Sequence, residues 1–74
     1  MQLPIYYLLY FDTKRCRAMS AGPYDPARDY EAMWADVDRL RAAGHEDVDT
    51  IRSPVPPPMP PGRLLAPDDL RAAL

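Results

Sequence analysis

Residues 22–45 read GPYDPARDYEAMWADVDRLRAAGH, and their spacing decides the fold. Tyr30, Met33, Trp34, Val37 and Leu40 recur at three- and four-residue intervals, the period of one helical face. Asp25 is placed to cap a helix, with Pro26 at its first position, where a missing N–H costs nothing. Asp29 and Glu31 come early and Arg39 and Arg41 late, the order that complements a helix dipole. Gly44 suits the left-handed residue that ends a helix. The spacing therefore predicts a helix over 26–43.

Strands are expected on either side. Residues 4–12, PIYYLLYFD, are rich in aromatic and branched side chains, which fit a pleated surface. Ile5, Tyr7, Leu9 and Phe11 form one alternating set, Tyr6, Leu8 and Tyr10 the other. Both are apolar, as in a strand covered on two sides. A turn at DTKR (12–15) leads to a second strand over 16–22. EDVDTIRS (46–53) reads as a third, its acidic residues marking an edge, with its direction left open.

Six prolines then fall within PVPPPMPP (54–61). Proline cannot donate to a sheet ladder, so the strand stops there. A polyproline run is stiff, roughly 25 Å long at ~3.1 Å per residue. It is a poor flexible linker. It contains PxxP spacings (Pro54 and Pro57, Pro57 and Pro60) that aromatic grooves recognise. It reads first as a strap, however. One helix covers one sheet face, leaving Tyr6, Leu8 and Tyr10 for the arm, with Leu64, Leu65 and Leu70 extending that cover. LLAPDDLRAAL (64–74) predicts a short terminal helix, with Pro67 in its first turn and Asp68 and Asp69 at its positive end.

The expected fold is α+β: a small ββαβ sheet (1–53) with one helix on one face, a polyproline arm (54–62) packed on that core, and a short C-terminal helix (63–74). All belong to a single domain, as 74 residues allow no more. A chain this short buries only about 60% of its unfolded surface, so any segment that covers apolar groups matters.

Composition narrows the function. The net charge of −2 offers no broad basic field for a phosphate backbone, so no direct nucleic-acid binding is expected. One cysteine excludes an internal disulfide and favours a reducing, cytoplasmic setting. The opening MQLPIYYLLYFD lacks the basic region and cleavage site of an export signal, and its apolar run is too short to span a bilayer.

Catalysis needs converging groups. His45 is the one histidine, expected to face solvent just past the helix. Cys16 and Ser20 are expected on a strand, with Cys16 a small buried hydrophobe and nothing bringing either to His45. Three glycines leave no phosphate loop, and no set of cysteines and histidines holds a metal. No enzyme, cofactor or metal is expected.

Binding features carry more. Five tyrosines and one tryptophan are residues favoured at interface hot spots. Trp34 borders the apolar stripe, with Glu31, Asp38 and Arg41 near it. Asp29 and Asp36 share the opposite flank and, with Asp47 and Asp49, make an acidic patch for a basic partner. The expected partner-binding residues are therefore Glu31, Trp34, Asp36, Asp38, Asp47 and Asp49. Arg15 and Arg17 alternate on the second strand, with Lys14 before them, as a smaller basic stretch that could meet phosphates or an acidic partner. A homodimer through a free sheet edge is also compatible with the pattern.

Two resemblances bear on these readings. SAGPYDPARDYEAMWADVDRLRAAGHEDV (20–48) looks like half of a SPOR domain, the bacterial septal peptidoglycan-binding module. Gly22, Pro23, Tyr24 and Gly44 match its strand, Gly-Pro-aromatic step, helix and Ala-Ala-Gly exit. That likeness covers under half the chain and implies a ligand- or glycan-binding module. By type rather than by motif, the chain is also similar to phage-encoded inhibitors of host defence, including anti-CRISPR proteins. Arg outnumbers Lys eight to one, as GC-rich bacterial or phage genomes encode. This second likeness implies a stoichiometric inhibitor of a CRISPR effector complex, whose basic nucleic-acid channels acidic side chains would suit.

Overall fold

The computed structural model describes residues 5–58, 60 and 62–74. Pro4 of the expected first strand and Met59 and Pro61 of the arm lie outside the described residues. Strands β1 (Ile5–Asp12) and β2 (Arg17–Tyr24) are followed by helix α1 (Tyr30–Ala42) and strand β3 (Glu46–Ser53). The arm then leads to a two-residue strand β4 (Leu64–Leu65) and helix α2 (Pro67–Ala73). The architecture is α+β: a mixed sheet in the order β3-β1-β2-β4, with both helices against one face.

β1 forms an antiparallel hairpin with β2 and pairs antiparallel with β3, which settles the direction of the third strand. The hairpin turns at Thr13–Cys16 because Asp12 Oδ1 accepts the Lys14 and Arg15 N–H groups, each at 2.9 Å. Arg15 and Cys16 thus sit in the turn and not on β2, which starts at Arg17. β4 was not foreseen. It pairs parallel with β2, Leu64 opposite Ser20, where the Ser20 N–H also donates to the Arg63 carbonyl.

α1 starts four residues later than the spacing suggests. Asp25 caps a turn of its own: its carboxylate accepts the Ala27 N–H at 2.9 Å and its carbonyl the Asp29 N–H at 2.6 Å. Asp29, at φ −110° and ψ 12°, breaks that turn and stands at the N-cap. The far end follows the sequence. Gly44 adopts φ +88°, its N–H donating to the Arg41 carbonyl and that of His45 to the Leu40 carbonyl. This is the Schellman pattern, and glycine meets it without a Cβ penalty.

The core joins Leu8, Tyr10, Met19, Ala21 and Tyr24 of the sheet to Met33, Val37 and Leu40 of α1 and Leu70 of α2. Tyr6, Val48 and Leu65 pack at its margin. The helices therefore cover the Tyr6, Leu8 and Tyr10 face of β1, a correction to the expectation that the arm does so. α1 lies over β1 and β3, and α2 over β2 and β4.

Ile5, Tyr7, Leu9 and Phe11 point the other way, toward a face without helices. Even so, Tyr7 is only 3% exposed and Ser20 is fully buried there. Tyr7 packs on Gly22, where an added Cβ would come within 2.6 Å of its ring. Here β2 carries one extra residue relative to β1. In the arm, Pro54, Val55, Pro56, Pro58 and Pro60 are exposed and Pro57 is half-buried. The arm bends at Pro54, Val55 and Pro58, so it is not the straight rod expected from composition. Among the described residues, no helix is long and apolar enough to cross a membrane.

Candidate functional site

α1 buries Met33, Asp36, Val37 and Leu40, a stripe at three- and four-residue spacing with an aspartate in one of its places. Asp36 is 0% exposed, and donors from three elements meet it. The Tyr24 hydroxyl donates to Oδ2 at 2.8 Å from β2. Arg71 of α2 forks onto both oxygens, Nε to Oδ1 at 3.0 Å and Nη2 to Oδ2 at 2.9 Å. Arg39, one turn along α1, donates to Oδ1.

Burial works to raise the Asp36 carboxyl, but the hydrogen bonds from Arg71, Tyr24 and Arg39 hold it below the usual carboxylate range. The Tyr24 hydroxyl is pushed well up, first by burial and then by its bond to that carboxylate. Asp36 is thus an internal pin joining β2, α1 and α2. It is not part of a surface patch, which corrects its assignment as a partner-binding residue. Beside the pin, a cleft of about 250 Å³ opens between Pro23, Tyr24, Arg28, Asp29, Pro67 and Arg71.

With Asp36 inside, Tyr30, expected in the apolar stripe, and Trp34, expected at its border, both lie outside. Tyr30 is 54% and Trp34 41% exposed. Their rings meet edge to face, with centroids 6.2 Å apart and planes at 75°. Glu31 precedes Trp34 by three residues and Asp38 follows it by four, so both are its neighbours on the helix surface. Both are exposed, and neither makes an ion pair among the described residues. Sequence reasoning placed Tyr30 inside. The signal that could have moved it out is the Tyr30–Trp34 spacing of four, which allows the two rings to pair on an outer face.

The remaining acidic residues lie elsewhere. Asp47 and Asp49 are exposed on β3, the edge strand. Asp47, at φ +54°, sits where the β1–β3 register shifts. Asp49 is opposite Leu9, on the face away from the helices, and its Oδ1 accepts the Thr50 N–H. Asp29 is held by Arg28 and by the Asp25 N–H. Of the six expected residues, then, Glu31, Trp34 and Asp38 share one face, Asp47 and Asp49 share an edge strand, and Asp36 is inside.

The groups considered for chemistry lie in different settings. The His45 side chain is 5% exposed and does not face solvent as expected. Its Nδ1 accepts the Thr13 N–H at 3.2 Å, and its ring lies against Tyr10 with centroids 5.4 Å apart. Asp12, buried 3.8 Å away, is held below the usual carboxylate range: burial opposes this, but the bonds from Arg15 outweigh it. Cys16 is not a buried hydrophobe but an exposed turn residue at φ +52°. The Ser20 hydroxyl is buried without a partner among the described residues. Among those residues, no three of His, Cys, Asp and Glu group to hold a metal ion.

No family model matches the chain, and no characterised protein or solved structure matches it either.

Proposed function

We propose that this chain is a non-enzymatic protein-binding inhibitor that docks the outer face of α1 onto a bacterial nucleoprotein machine, such as a CRISPR effector complex, in the cytoplasm. The observation that carries this reading is the Tyr30–Trp34 pair, two exposed aromatic rings held edge to face on the outer side of α1. Tryptophan and tyrosine anchor interfaces because they bury much area with few torsions to freeze. The carboxylates of Glu31 and Asp38 add negative charge beside them. That charge suits a partner whose working surface is basic because it handles nucleic acid.

Affinity capture from a bacterial lysate that contains a CRISPR effector tests the proposal. The wild-type chain is expected to retain a nucleoprotein complex that a Tyr30→Ala/Trp34→Ala variant of unchanged melting temperature does not. Equal retention by the variant would contradict the docking face. Retention of a complex without nucleic acid would contradict the nucleoprotein target.

A further inference from the structure

Resting on that docking face, we infer that Trp34, Tyr30, Glu31 and Asp38 form a seat for an arginine side chain of the partner. Trp34 offers the aromatic face that attracts cations most strongly. Tyr30, one turn before it, braces the indole edge to face. Glu31 and Asp38 stand one turn to either side of Trp34, exposed and without an ion pair among the described residues.

Among the described residues, no arginine of the chain forms an ion pair with Glu31 or Asp38. Arg15 is paired with Asp12, Arg28 with Asp29, and Arg39 and Arg71 with Asp36. Arg41 lies beyond Asp38 on the same side of the helix and does not bridge to it.

An aromatic ring beside carboxylates favours arginine over lysine. A planar guanidinium stacks on an indole and presents forked donors to a carboxylate, whereas an ammonium is a compact, strongly hydrated point charge. Arginines on a protein surface that binds nucleic acid have this chemistry, and an occupied seat removes one of them from such a surface.

Trp34 is the only tryptophan, so its emission reports on the seat alone. The probes are a Gly-Arg repeat hexapeptide and its Gly-Lys counterpart. A saturable change in Trp34 emission is expected with the arginine peptide, at lower concentration than with the lysine peptide. Glu31→Gln/Asp38→Asn should weaken the arginine peptide by about tenfold, within the range that desolvated cation–π and paired contacts supply. Glu46→Gln/Asp69→Asn removes the same charge elsewhere and should leave binding unchanged. Equal response to both peptides, equal loss in both double variants, or no saturable change would overturn the seat. The docking face is tested separately: capture that depends on Tyr30 and Trp34 without any arginine preference retires the seat and leaves the face standing.

Discussion

Asp36 shows how one residue settles the orientation of a helix. Its carboxylate is fully buried, and Tyr24, Arg39 and Arg71 all donate to it. Asp36→Asn keeps the shape and removes the charge. It should cost about 2–3 kcal/mol, less than a fully enclosed pair, because both arginines reach water. Urea denaturation measures this. Because the folded carboxyl lies below its ordinary value of 3.8, its contribution is fully present above that pH. It is lost as pH falls through the lower folded value. Asp12 adds a contribution of the same sign. The melting temperature should therefore fall as pH drops below about 4, and less steeply in Asp36→Asn than in the wild type. The pin itself was half legible. Met33, Asp36, Val37 and Leu40 have the spacing of a buried stripe, but a reading by hydrophobicity passes over the aspartate. Its partner Arg71, 35 residues away, has no local signature.

At the scale of elements, α1 was legible where its signal is local. Gly44 ends the helix as its lack of a Cβ predicts. The start was ambiguous because Asp25 and Asp29 lie four apart and each can close a turn; the Asp25 side chain took the Ala27 N–H and left Asp29 to begin the helix. The faces of β1 were ambiguous for another reason. Both alternating sets are apolar, so only the pairing with β2 and the packing of α1 decide which one meets the helices. The two sides of α1 should respond differently to truncation. Met33→Ala opens a cavity and should cost about 2–5 kcal/mol. Tyr30→Ala and Trp34→Ala, on the outer face, should each cost less than about 1 kcal/mol. Chemical denaturation of the three variants checks this. A large loss from Trp34→Ala would return that residue to the core.

The whole molecule is a sheet with its helices on one side and a proline arm running from one edge to the other. β2 and β3 both run antiparallel to β1, and β4 is parallel to β2. The connections β2–α1–β3 and β3–arm–β4 therefore both join parallel strands, and they cross the sheet in opposite senses. Such connections are right-handed in nearly all proteins, which puts two of opposite sense on opposite faces. By that rule the arm is expected over the face that α1 leaves bare, on the side of Tyr7 and Ser20. The prolines suggest a covering role in the sequence, but the face an arm could cover depends on strand order, which local patterns do not encode. An arm over that face predicts that ending the chain after Ser53 lowers the melting temperature by more than Leu70→Ala/Arg71→Ala does in the full chain. Equal losses would assign the whole effect to α2.

The proposed docking of the outer face of α1 onto a partner can be read at Trp34, the single tryptophan. In the free chain its exposed indole should be readily quenched by acrylamide. In a saturated complex with a partner preparation free of tryptophan, quenching of Trp34 emission should fall sharply, and ¹⁹F-labelled Trp34 should show the same loss of solvent exposure with a tryptophan-containing partner. An indole as accessible in the complex as in the free chain would contradict the account.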